Sequence, residues 1–155
     1  MEAYLKDLAK FCFLLHKYEV EYMIIGGLAV NYHGFQRATG DIDIWYNPTP
    51  DNFSKLIHSI KEFGFETSEV ESKKYYEVKG LICLPLERFS IELLSIIDAK
   101  FSFQEAYKEA ESFKILDSQS KVMSYEYLLQ NKIMARRPKD LEDIRQLEMR
   151  RKGEN

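Results

Sequence analysis

Tyr4, Leu5, Leu8, Phe11, Leu14 and Leu15 recur at helical spacing, so residues 3–18 are expected to form an amphipathic helix with one face on a core. Residues 20–25 read as a buried strand that ends at Gly26-Gly27, and Leu28, Ala29, Val30 and Tyr32 place a short helix directly after it. Thr39 and Gly40 break the chain. The strict alternation of Asp41-Ile42-Asp43-Ile44-Trp45 then predicts a strand with its acids on one face and Ile42 and Ile44 on the other. Thr49-Pro50 supplies an N-cap and a first-turn proline for a helix whose buried stripe is Phe53, Leu56, Ile57 and Ile60, ending near Gly64. Residues 65–95 look strand-like in three segments: FETSEV, KKYYEVKGLICLPL with a turn at Lys79-Gly80, and RFSIELLSII. Ser102 is expected to cap a helix through Ala110, and FKIL to form a short strand. Ser124 starts YEYLLQNKIMAR with Tyr127, Leu128, Ile133 and Met134 turned inward, and Pro138 opens a last helix, KDLEDIRQLEMR.

These elements predict an α/β (α+β) fold: a mixed twisted β-sheet flanked by helices, with C-terminal helices. Repeats, low-complexity tracts and linker-like stretches are lacking, so residues 1–155 read as one domain. A chain of 155 residues with 45% hydrophobic content can bury one sizeable core. No apolar run approaches the ~20 residues of a membrane span, and MEAYLKDLAK carries acids and lacks the apolar segment of a signal peptide, which reads as a cytoplasmic protein without a membrane partner. Cys12 and Cys83 sit among Phe, Leu and Ile, without His or Cys at metal spacing, and are expected to be buried reduced thiols. Net charge is −3, which argues against a wide nucleic-acid grip, but residues 131–155 carry eight Lys or Arg against five Asp or Glu. That basic end suits phosphates; the alternative is a solvated helix face.

The chemistry turns on Asp41 and Asp43, because residues i and i+2 of a strand project to the same side about 6.5 Å apart. Carboxylates placed so can share Mg²⁺, which takes oxygen ligands and keeps positions for water and substrate phosphates. Glu92, a lone charge in the apolar run Phe89–Leu94, is the candidate third acid from a neighbouring strand, with Arg88 or a lysine as the alternative partner for its charge. Gly26-Gly27, upstream at a strand-to-helix turn, offers bare backbone N–H groups to a triphosphate; the alternative is a tight turn with close packing.

Gly26-Gly27 followed by HGFQRATGDIDIW resembles the signature of the DNA polymerase β-type nucleotidyltransferase superfamily, a glycine turn followed by a strand of alternating acids. More narrowly, the chain is similar to minimal bacterial and archaeal nucleotidyltransferases, toxin and antitoxin members included, in which Arg-x-Thr, here Arg37-Ala38-Thr39, precedes the acidic strand. Residues 132–144, KIMARRPKDLEDI, resemble the K-x-x-a-x-R-x-K-D-x-x-D segment of the same group. The resemblance implies the nucleotidyltransferase fold, a nucleoside triphosphate (NTP) as substrate, and Mg²⁺ or Mn²⁺ on Asp41, Asp43 and Glu92 as catalytic acids. It also implies triphosphate contact by Gly26 and Gly27, nucleotide contact by Lys132, Arg136, Lys139 and Asp140, and Arg37 and Thr39 beside the acids. The group more often has Asp where Glu92 stands. For Lys132, Arg136, Lys139 and Asp140 the alternatives are an ion pair or surface charge.

The resulting expectation is transfer of a nucleoside monophosphate from NTP to a hydroxyl of a protein, an RNA such as a tRNA end, or a small molecule. A second expectation, from another class, is a catalytically weak or inactive nucleotide- or partner-binding module, one half of a toxin–antitoxin-like pair. A sugar-nucleotide glycosyltransferase is disfavoured, because it leaves Gly26-Gly27 unexplained. His33 reads as a packed or hydrogen-bonded side chain, His16 and His58 lie on predicted helices without partners, Trp45 and Tyr46 read as core, and Ser90 and Ser95 lack a His-acid arrangement for a hydrolase.

Overall fold

A computed structural model describes residues 2–153. The chain runs α1 (Glu2–Lys17), β1 (Tyr22–Ile25), α2 (Gly26–Tyr32), β2 (Asp41–Tyr46), α3 (Pro50–Phe63), α4 (Ser68–Lys73), β3 (Leu81–Pro85), β4 (Ser90–Leu94), α5 (Phe103–Lys108), β5 (Glu111–Ile115), β6 (Ser118–Val122), α6 (Tyr125–Ala135) and α7 (Pro138–Arg151). Its strands form one six-stranded mixed sheet in the order β3-β4-β2-β1-β6-β5. β2 pairs antiparallel with β1 and parallel with β4, β3 pairs antiparallel with β4, and β6 joins β1 in parallel and β5 antiparallel. The expected mixed sheet with flanking and C-terminal helices is present.

One face of the sheet is closed by hydrophobic burial. Ile42 and Ile44 of β2 and Ile91 and Leu93 of β4 are fully inaccessible, as are Phe11 and Leu15 of α1 and Leu56 of α3, which pack into the same core. Each such side chain contributes roughly 1.5–3 kcal/mol by leaving water. α3 is delimited as its sequence requires: Thr49 accepts from Asn52 N–H, Pro50 opens the first turn, and Gly64 closes the helix at φ 113°. No helix among the described residues is long and apolar enough to cross a membrane.

Four expectations give way to local physics, and one strand forms that the sequence does not announce. Of KKYYEVKGLICLPL only Leu81–Pro85 is a strand, residues 74–77 forming turns. FETSEV is not a strand: the Glu66 carboxylate accepts from the backbone N–H groups of Thr67 and Ser68, Thr67 Oγ1 donates to Glu71, and Lys73 pairs with Glu69 across one turn, which together start and hold α4. β6, with the polar sequence SQSKV, carries no strand pattern of its own and is held by its pairing with β1 at Ile24↔Val122 and with β5. Ile133 and Met134 point outward, 49% and 45% exposed, because α6 turns Leu128 and Lys132, one helical turn apart, into the interior. Cys12 is buried but Cys83, on edge strand β3, is exposed; both are free.

Candidate functional site

β1 runs straight into α2 at Gly26, whose φ of 65° lies in the left-handed region that glycine adopts without strain. Register then decides what Gly26 faces: Ile25 is paired with Asp43, and a Cβ added at Gly26 would collide with the Asp43 carboxylate. Gly27 is equally confined, since a Cβ there would lie 2.5 Å from Thr39 Oγ1 and 3.4 Å from an Arg37 guanidinium nitrogen. The two glycines therefore let the acidic strand and the loop before it close onto the start of α2. Gly26→Ala is expected to cost about 1–3 kcal/mol and to displace the Asp43 carboxylate; thermal melting of the variant checks this.

The same register sets Asp43 beside Glu92 on β4, and Glu92 beside Cys83 on β3, so that these side chains form a row across the open face of the sheet. Burial raises the Asp43 carboxyl from 3.8 to about 7, helped by a hydrogen bond with Glu92 and the charges of Glu92 and Asp41; Lys139 pulls the other way. Asp41 is turned aside, its Oδ1 accepting from Ser90 Oγ at 2.7 Å. Among the described residues no group of three or more acid, His or Cys side chains converges on one point. The donor chemistry still fits a hard divalent ion such as Mg²⁺ or Mn²⁺: all three candidate ligands offer carboxylate oxygens, two stand side by side, and such an ion leaves positions for water and phosphate. Asp41, whose Oδ2 is not engaged by Ser90, lines the same cleft as the third candidate ligand.

α6 and α7 cover this row through a buried ion network. Lys132 Nζ donates to Asp140 Oδ1 at 3.1 Å and pairs with Asp143 Oδ2 at 3.0 Å; Lys132, Asp140 and Asp143 are 2%, 0% and 1% exposed. Arg37 reaches Asp143 in a two-pronged contact, Nε at 2.8 Å and Nη2 at 3.0 Å, and also donates to Ala38 O. Burial alone would push the Asp140 carboxyl up, but hydrogen bonds from the Arg137 side chain and backbone and from Lys132, with the Lys132 charge, hold it below its ordinary value. Thr39 Oγ1 donates to the Asp41 carbonyl at 2.9 Å, fixing the entry to β2.

These parts meet in a polar cleft of about 300 Å³. Gly26, Gly27, Arg37 and Thr39 line it together with Asp41, Asp43 and Glu92; Lys132 and Lys139 come from α6 and α7, and Lys79, Leu94, Ile96, Ile97 and Asp98 complete the lining. Two expected residues do not line it. Arg136 closes α6 in the left-handed region at φ 53°, exposed, and Asp140 is sealed in the ion network. The structure adds Arg137, Asn131 and Asp98 to the lining, and Asp143 behind it. Arg137 and Asp143 stand inside the C-terminal motif and were legible there; Lys79 and Asp98 carry no sequence signal. His33 is packed, its Nε2 2.8 Å from the Met123 carbonyl. A larger cleft of about 740 Å³ lies between α1 and the β5–β6 hairpin, but Glu19 is the single acid in its lining, so it lacks a paired-carboxylate chemistry.

Residues 4–154 match the family described as "Nucleotidyl transferase of unknown function (DUF2204)". No curated protein matches the chain by sequence. Among solved structures, the chain is similar to the lincosamide antibiotic adenylyltransferase LnuA in its lincomycin-bound form, at 17% identity and a TM-score of 0.55 over 92% of this chain and 95% of that one. It is also similar to ANT(2")-Ia in complex with adenylyl-2"-tobramycin, at 13% identity and a TM-score of 0.58 over 94% and 87%. An antigenic nucleotidyltransferase-like protein from Paracoccidioides brasiliensis aligns at 18% identity and a TM-score of 0.56 over 92% and 74%. At such identities the likeness is one of fold, and the fold is that of the nucleotidyltransferases.

Proposed function

This chain belongs to the DUF2204 family of nucleotidyl transferases, and from that premise we propose that it transfers a nucleoside monophosphate from an NTP to a hydroxyl of a small molecule, with pyrophosphate leaving. The observation that carries the reading is the Asp43–Glu92 pair, two acids on adjacent strands in a polar cleft, with Asp43 pressed against Gly26. Such a pair is costly as it stands, since Asp43 is held up to about 7 by burial and by its acidic neighbours. A divalent ion held by Asp43 and Glu92, joined by Asp41, would neutralise that charge and supply Lewis-acid stabilisation to the reacting oxygens.

Within this reading the chain's own residues divide the remaining work. The backbone N–H groups of Gly26 and Gly27 border the side where a triphosphate is held, and Lys139, which makes no ion pair among the described residues, offers it positive charge. Arg37 is spent on Asp143, so its task is to hold the 37–40 loop against Gly27 rather than to grip a phosphate. Lys132 likewise holds α7 in place. Glu92, longer than Asp by one methylene, is the group to take the proton from the acceptor hydroxyl at its Oε atoms. The small-molecule acceptor is supported by the adenylyltransferases of lincosamide and of tobramycin named above, and by the apolar stretch Leu94, Ile96 and Ile97 in the lining of the cleft.

One observation favours a second reading, a catalytically weak nucleotide- or partner-binding module of a toxin–antitoxin-like pair: Asp41 is engaged by Ser90, leaving two adjacent acids rather than three. Transfer of label from α-³²P nucleoside triphosphates with Mg²⁺ into host lysate separates the two. The transferase reading expects label on a small-molecule fraction; nucleotide binding without label at any pH from 6 to 9 would leave the binding module.

A further inference from the structure

We propose that Lys79 binds an anionic group of the acceptor, so that the hydroxyl compound used by this protein carries a phosphate or carboxylate close to its reacting oxygen. This inference rests on the transfer reading above. Its first support is the order of groups across the sheet. Strands run β3, β4, β2, β1, and the register lines up Cys83, Glu92, Asp43 and Ile25. Gly26 and Gly27 follow Ile25, whereas Lys79 precedes β3 and lines the same cleft. The acids thus stand between the glycines and Lys79. With the triphosphate on the glycine side, the hydroxyl reaches Glu92 from the side where Lys79 waits.

The second support is that the backbone around Lys79 is pinned. Ser95, 1% exposed, donates through Oγ to the Val78 carbonyl at 3.0 Å and accepts from Gly80 N–H at 3.3 Å, while its own carbonyl accepts from Trp45 Nε1 at 3.0 Å. Gly80 lies against the Tyr75 ring, where any Cβ would collide, and the Tyr75 carbonyl accepts from Tyr46 OH at 3.3 Å. Residues 78–80 are therefore tied to the buried body of the sheet at both flanks of Lys79.

The third support is charge. Five cations line the cleft, and three of them, Arg37, Lys132 and Arg137, are ion-paired with Asp140 or Asp143. Lys79 and Lys139 make no ion pair among the described residues, although Glu92 and Asp98 border the same cleft as Lys79. Lys139, at the start of α7, is the cation assigned to the triphosphate above. Lys79 is the positive charge left for a ligand on the Glu92 side, where a charge-assisted contact to an anion is worth about twice a neutral hydrogen bond.

The test compares the intact protein with Lys79→Met and Lys79→Arg. Label from α-³²P nucleoside triphosphates is transferred into host extract, and affinity for α,β-methylene-ATP is measured by calorimetry. Lys79→Met should lower labelling at least about tenfold through KM for the extract, with affinity for the ATP analogue within about twofold, and Lys79→Arg should restore most of the loss. The acceptor released from the product by phosphodiesterase should be retained on an anion exchanger. Unchanged labelling in Lys79→Met, a parallel loss of affinity for the ATP analogue, or an acceptor that passes the exchanger would each overturn the proposal while leaving the transfer reading intact. No label from the intact protein would overturn the transfer reading and this one with it.

Discussion

Asp43→Asn is expected to abolish nucleotidyl transfer, by at least about a hundredfold, while making the protein more stable at pH 8. The two effects have one origin. Asp43 titrates at about 7 in the folded protein instead of 3.8, so folding favours its protonated form. Its contribution to stability is fully present below pH 4 and is lost as pH rises through 7, where the carboxylate must be ionised next to Glu92. At about 1.4 kcal/mol for each pH unit, the penalty at pH 8 reaches roughly 4 kcal/mol. Asn keeps the shape and removes the charge, so denaturant midpoints should separate the variant from the parent above pH 7 and converge below pH 4. Mg²⁺ should raise the melting temperature of the parent at pH 8 and leave Asp43→Asn unmoved. Equal stability of the two proteins across this range would show that the acid pair carries no stored cost.

The second large effect is expected at Lys132, and its sign is opposite. Lys132→Met removes the cation shared by Asp140 and Asp143 at 3.1 and 3.0 Å, leaving two carboxylates that water does not reach. Breaking a buried pair from one side costs about 3–5 kcal/mol. Arg37 and Arg137 remain on the same acids, which places the expected loss near the lower end, about 3 kcal/mol, or a fall in Tm of about 6–12 °C for a chain of this size. A double-mutant cycle with Asp143→Asn should return a coupling of about 1 kcal/mol or more, because both changes act on one network. Independent, additive losses would mean that Lys132 serves a ligand rather than the fold.

The residues of the open face were legible where a local rule dictated them. Alternation placed Asp41 and Asp43 opposite Ile42 and Ile44, and Glu92 stood out as an acid in an apolar strand; parallel pairing of β2 with β4 then set Asp43 next to Glu92. What escaped the sequence was set at longer range. The inward turn of Lys132 follows from two acids met only when α7 folds back on α6, so a reading of α6 alone put Ile133 and Met134 inside. β6 has no apolar alternation and exists because β1 and β5 pair with it. FETSEV reads as strand-like, but the Glu66 carboxylate accepts from the backbone N–H groups of Thr67 and Ser68 and starts a helix there. Asp41 is diverted by a hydroxyl 49 positions away in sequence, a contact that periodicity does not encode.

The register that aligns Asp43 with Glu92 extends one strand further, to an exposed thiol at Cys83. Cys12 is sealed in the core with its thiol pushed up to about 12 by burial, so mild alkylation would find a single target. A nitroxide or fluorophore attached there would sit one residue pair from the acid floor without any cysteine having to be engineered. The native chain thereby comes equipped with a spectroscopic reporter, through which Mn²⁺ relaxation or nucleotide-induced quenching at the acids can be followed in a protein of unaltered sequence.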